Sequence, residues 1–160
     1  MPPVLLGYEV VDKVTGFTGV ASVEGEFLYG CRQYGVAPKV GEDGERKDIQ
    51  WFDEGRLTQG ALVVKDVATG ITPWPEHIQL GTEAEDVITG FKGIITARAR
   101  YLFGNVEYAL TPKSDKDKMK DSMWIDHGRI VFKGHGLKPK DVQGEKKGGP
   151  QRDLPPTRRI

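Results

Sequence analysis

The chain has 160 residues, of which 38% are hydrophobic and 29% charged, with 21 glycines and 10 prolines, a balance that can build a core but favours turns and short strands over long helices. Its 23 basic residues match its 23 acidic ones, so no overall field draws the protein to nucleic acid or to an anionic membrane, and any electrostatic binding is local. The one cysteine, Cys31, excludes an internal disulfide framework, and no apolar run approaches the ~20 residues that a membrane-spanning helix needs.

Residues 1–7 lack the basic region, apolar core and cleavage site of a signal peptide, which predicts a soluble cytoplasmic product. Short strands follow: 8–14, then a glycine turn, 19–28, 32–37, a charged loop, 49–52, and a closing segment from Arg56. Gly16 and Gly19 sit where a tight turn needs positive φ or close backbone approach, and Gly30 marks the next reversal. Five strands in so short a stretch predict a small closed barrel over 5–64, its interior holding Val10, Val14, Val20, Leu28, Tyr34 and Trp51. Residues 65–78 read as a linker, in which Ala68-Thr69-Gly70 makes a turn and Pro73-Trp74-Pro75 a stiff, exposed aromatic suited to docking.

The next segment, 79–138, repeats the first. Leu6-Gly7, Glu9, Asp12, Thr15-Gly16-Phe17 and Gly19 recur 74 residues later as Leu80-Gly81, Glu83, Asp86, Thr89-Gly90-Phe91 and Gly93. The match runs on through Leu28/Leu102, Gly30/Gly104, Tyr34/Tyr108, Pro38-Lys39/Pro112-Lys113 and Asp43/Asp117, then slips to an offset of 73 for Trp51/Trp124, Asp53/Asp126 and Gly55-Arg56/Gly128-Arg129. An ordered series of this kind, rich in Gly, Pro and Trp, is the mark of a tandem duplication. Beyond it, residues 139–160 carry almost nothing apolar and a net charge of +3, with Gly148-Gly149-Pro150 and Pro155-Pro156, and read as an extended polar arm that cannot fold alone.

The opening strand and glycine turn of each copy resemble those of SH3-like barrels of the KOW type, which implies an all-β chain of two tandem SH3-like barrels. The shared pattern Asp-x-Val/Ile-Thr-Gly-Phe-x-Gly-Val/Ile, followed by Leu-x-Gly and Trp-x-Asp-x-Gly-Arg, is similar to that of small bacteriophage-encoded proteins. That likeness brings no activity with it.

No nucleophile elbow, phosphate loop, dinucleotide fingerprint or metal-binding histidine pair is present, so neither enzyme activity nor a metal or cofactor is expected. His127, between Asp126 and Gly128, stands where the first copy has Glu54 and reads as a turn residue; Cys31, replaced by Asn105, reads as a small packing residue. In Trp-x-Asp-x-Gly-Arg, Arg56 and Arg129 could clamp a phosphate or carboxylate beside an aromatic, or pair with the Asp of their own turn. The second copy places Arg98, Arg100, Tyr101 and Phe103 where the first has Glu24, Glu26, Phe27 and Tyr29, a reversal of sign suited to head-to-tail pairing of neighbouring subunits. With Trp74 and the arm's Lys146, Lys147, Arg152, Arg158 and Arg159, these residues predict a non-enzymatic protein whose partners are other protein subunits, in the host cytoplasm during assembly and then in a phage particle as a capsid or tail accessory or decoration protein. A phage-encoded binder of a nucleotide signal acting through Arg56 and Arg129, and a nucleic-acid module using Arg98, Arg100 and the arm, are the alternatives.

Overall fold

Short apolar alternations broken by glycine give ten strands, five per copy, in the computed structural model, which describes residues 4–65, 74–75 and 78–143. The first copy holds β1 (Tyr8–Asp12), β2 (Thr18–Phe27), β3 (Arg32–Ala37), β4 (Gln50–Asp53) and β5 (Leu57–Leu62), with a 3-10 turn, Glu54–Arg56, between the last two. The second holds β6 (Thr82–Asp86), β7 (Lys92–Tyr101), β8 (Val106–Thr111), β9 (Met123–Asp126) and β10 (Ile130–His135), with a 3-10 turn, His127–Arg129, in the same place. A short helix, α1 (Pro139–Val142), follows. Pro139 starts it, and the Asp141 carboxylate accepts the Lys138 backbone N–H at 2.9 Å.

Every pairing is antiparallel. Within the first copy β1 lies between β5 and β2, and β3 lies between β2 and β4, so the strand order is 5-1-2-3-4; the second copy repeats it. The glycine that opens each second strand, Gly19 or Gly93, is needed for close approach: a Cβ there would lie 2.5 Å from the Ala37 carbonyl or 2.6 Å from that of Thr111. The two strand sets fall inside the expected 5–64 and 79–138, yet each core reaches one residue further upstream. Val4 packs with Val10, Ala21, Tyr34, Val36, Phe52 and Leu57, and its counterpart Ile78 packs with Ala84, Ile95, Tyr108, Leu110, Ile125 and the half-buried Ile130.

Two expectations about the interior fail. Val14 is 73% exposed because β1 ends at Asp12 and Val14 lies in the turn beyond it. Trp51 and Trp124 do not fill the two cores; both stand half-buried on the opposite face of the sheet. The cause is alternation along the fourth strand of each copy: Phe52 and Ile125 pair with the core tyrosines Tyr34 and Tyr108, so the adjacent Trp51 and Trp124, paired with Gly35 and Ala109, point the other way. A register shift in each long strand, between Ala21 and Val23 in β2 and between Ile95 and Ala97 in β7, brings residues of that strand to the same face. A bulge turns the rest of a strand over, so Ala21 faces its own core while Val23, Gly25 and Phe27 face outward. Trp51 lies flat over Gly25 and Gly35, 3.4 and 3.2 Å from where their Cβ atoms would be.

The copies are not beads on a string. β1 covers only the first three positions of the β2 edge, Thr18 to Val20, and leaves the remainder open. β6 leaves the same stretch of β7 open. Those edges pair with each other, joining all ten strands into one sheet. Gly25 faces Ala99, its own counterpart in the repeat, so a local twofold axis passes between them. Leu28 N–H to Thr96 O at 2.8 Å and Leu102 N–H to Ser22 O at 2.9 Å extend the ladder symmetrically.

Candidate interaction site

At an antiparallel seam about a twofold axis, each residue meets the counterpart of its mirror position. Glu24 therefore faces Arg100, and Glu26 faces Arg98. Nε and Nη2 of Arg98 donate to Glu26 Oε2 at 3.0 and 2.6 Å, and those of Arg100 reach Glu24 Oε2 at 2.7 and 2.6 Å. Arg32 on β3 ties the two acids together, with Nη2 3.0 Å from Glu26 and Nε 3.4 Å from Glu24, while Nη1 lies 3.7 Å from Glu54. Burial raises the Glu26 carboxyl, but the hydrogen bonds and charges of Arg98 and Arg32 outweigh it and leave the group below its ordinary value. Burial likewise lowers Arg32, and the facing Glu26 and Glu24 more than offset it.

These are the side chains whose sign reversal suggested pairing between neighbouring subunits, and that expectation is corrected: they pair within one chain. Trp74 is corrected with them. Instead of standing exposed in a linker it lies over the arginines, its ring centre 4.2 Å from the Arg98 guanidinium and 4.8 Å from that of Arg100, and packs on the second core. Tyr101 is also turned inward, its hydroxyl donating to the buried Glu107 at 2.9 Å. The nucleic-acid reading of Arg98 and Arg100 loses its basis, because both guanidiniums are neutralised and largely covered.

Arg56 and Arg129 have partners other than the Asp of their own turn. Arg56 grips Asp12 across 44 residues, Nε to Oδ1 at 2.9 Å and Nη2 to Oδ2 at 2.6 Å. Arg129 grips Asp86 in the same way, with Nε 3.0 Å from Oδ1 and Nη2 on Oδ2. Asp12 and Asp86 are fully buried, and each also accepts from the threonine of its turn, Thr15 or Thr89. The arginine forks dominate and hold both carboxyls well below the usual carboxylate range, against the opposing effect of burial. Each pair fastens the 3-10 turn to the end of the opening strand, and the Nε edge that would clamp a phosphate is already taken.

The chain matches no family model, no curated protein and no solved structure.

The other candidates have structural surroundings. His127 opens the second 3-10 turn and packs its ring at a tilt against Tyr108, ring centres 5.8 Å apart. Cys31 packs beside Phe27, Ala97 and Ala109 and lines an open cleft of about 600 Å³ with Arg32, Glu54 and Gln143. Gln143 donates to the Leu28 carbonyl at 3.3 Å, so the start of the arm docks on the first copy. Among the described residues no three His, Cys, Asp or Glu side chains converge as a metal site, and no helix is long and apolar enough to cross a membrane. Lys146, Lys147, Arg152, Arg158 and Arg159 lie outside the described residues.

Sequence reasoning missed Arg32, Glu107 and the role of Glu24 and Glu26 as partners of Arg100 and Arg98. The signal was present in the reversal itself, since opposite charges at equivalent positions are what an antiparallel pairing of two copies requires.

Proposed function

We propose that this is a non-enzymatic interaction protein in which two SH3-like barrels are locked by the β2–β7 seam into one rigid body that binds other protein subunits. The order 5-1-2-3-4, the bulged second strand and the 3-10 turn between the fourth and fifth strands support the barrel reading. The observation that carries the function is the difference in exposed surface between copies built on one scaffold. β10 stands at an end of the sheet order and exposes Val131 and Phe132, at 39% and 43%, where β5 has Thr58 and Gln59. An apolar strand at a sheet end is a ready surface for another chain.

A capsid or tail accessory or decoration role in a phage particle is the concrete form of this reading. Mass spectrometry of particles purified from producing cells tests it, together with photo-crosslinking from position 132 of the full chain. The expected result is this chain in stoichiometric amount, crosslinked to a particle protein. Particles that lack its peptides, with a chain that stays monomeric and uncrosslinked, would overturn it.

A further inference from the structure

Outside the seam, lysines converge where the fold does not ask for them. A cavity of about 380 Å³ on the second repeat, within the size range of small-ligand sites, is lined by Lys92 at the start of β7, Lys113 and Lys120 from the β8–β9 loop, and Lys133 on β10. Ala84, Ile94 and Pro112 also line it. We propose that this cleft binds a phosphate-bearing small molecule of the nucleoside phosphate class.

Comparison of the copies carries the first step. Lys92 and Lys133 stand where the first repeat has Thr18 and Gly60, while Lys113 matches Lys39 and Lys120 falls opposite the basic pair Arg46-Lys47. The first copy builds the same strands without the two extra lysines, so they are not fold determinants.

Charge supplies the second step. Glu85 lies 3.3 Å from the Lys133 ammonium and 3.9 Å from that of Lys92, holding the two near each other. Lys113 and Lys120 form no ion pair among the described residues. Counting Glu83 and Glu85, the cluster keeps a local charge of +2, enough for a dianionic phosphate. Ammonium groups arriving from three elements suit a tetrahedral phosphate, whereas a planar carboxylate is better matched by an arginine fork.

Ligand identity is the third step. The apolar lining would take the uncharged body of the ligand, and Glu83, which also lines the cavity, can accept from a hydroxyl or amine donor. A nucleoside phosphate carries all three parts: anion, apolar face and donors.

Isothermal titration of the full chain at low salt with ATP, GTP, CTP and UTP, with pyrophosphate, and with adenosine tests the proposal. At least one nucleotide is expected to bind more tightly than pyrophosphate, and adenosine not at all. Lys92→Met with Lys133→Met should weaken binding roughly tenfold or more, because two of four contacts to the anion are lost. Glu85→Gln should tighten it by freeing both lysines, and Lys39→Met with Lys47→Met in the first repeat should change nothing. Circular dichroism of the variants establishes that they are folded. Absence of heat with every nucleotide at millimolar concentration overturns the proposal. So does pyrophosphate binding as tightly as the nucleotides, or an equal loss from the first-repeat lysines. None of these results bears on whether β10 meets a protein partner.

Discussion

Replacing Glu26 by leucine removes the acceptor of both Arg98 hydrogen bonds and one of Arg32's three carboxylate contacts. Arg98, only 17% exposed, then keeps the Trp74 face in place of its carboxylate. Deleting one partner of a fully buried pair costs about 3–5 kcal/mol; partial exposure here reduces this to about 2–3 kcal/mol. Arg98→Met is milder, about 1–2 kcal/mol, because Glu26 still holds Arg32 at 3.0 Å. In the double variant a leucine meets a methionine beneath Trp74, and apolar replacement of a buried pair comes within about 1 kcal/mol of the parent. The cycle therefore has a coupling of about 3 kcal/mol, with Glu26→Leu the worse single change. Urea unfolding followed by far-ultraviolet dichroism and tryptophan fluorescence reads it. Single effects that add to within about 0.5 kcal/mol in the double variant would show that the pair is solvated and does not hold the seam. Separate transitions for the two probes in the parent would refute the one-body reading as well.

Other expected outcomes follow from single contacts. Gly81→Ala should cost about 3 kcal/mol or more, since the new Cβ would lie 1.7 Å from the Leu137 carbonyl oxygen at φ +90°, whereas Gly7→Ala, at φ +89°, meets the Leu102 side chain at 3.3 Å and Val64 at 3.6 Å and should be the milder of the two by thermal melting. Asp12 and Asp86 are depressed by their arginines, so their contribution is fully present above the unfolded carboxyl value of about 4 and is lost as pH falls through the lower folded values. The urea midpoint should hold from pH 7 to 5 and fall below pH 4, and Asp12→Asn with Asp86→Asn should flatten that fall; an unchanged acid limb would remove these pairs as its cause. Trp74→Leu keeps an apolar cap on the second core but removes the ring over Arg98 and Arg100, and should lower stability by about 1–2 kcal/mol in the same urea assay, with no loss expected if the ring contact is incidental.

The strands were legible because a half-buried β-strand shows itself locally. Alternation marks 8–12 and 32–37, and the glycines bracket them, so the expected and observed boundaries differ by a residue or two. Val14 was misplaced because alternation continues past the point where the Asp12 side chain caps the turn, accepting the Thr15 N–H at 3.0 Å. The tryptophans were misplaced because the neighbours Trp51 and Phe52 face opposite ways along β4, and only the pairing of Phe52 with Tyr34 shows which of them enters the core. Arg56 was legible as an ion-pair former but not its partner, since Asp53 is three residues away and Asp12 is 44.

By itself the sequence determined that the chain is a duplication of one all-β unit, because glycine, proline and tryptophan constrain the backbone wherever they stand. Only the tertiary structure decided where the opposite charges meet. The length of β1 set that outcome: by covering three positions of the ten-residue β2 it left an edge open, and an open edge must find a partner. The equivalent edge of β7 supplies it within the same chain, which turned two faces read as contacts between subunits into the interior of one molecule.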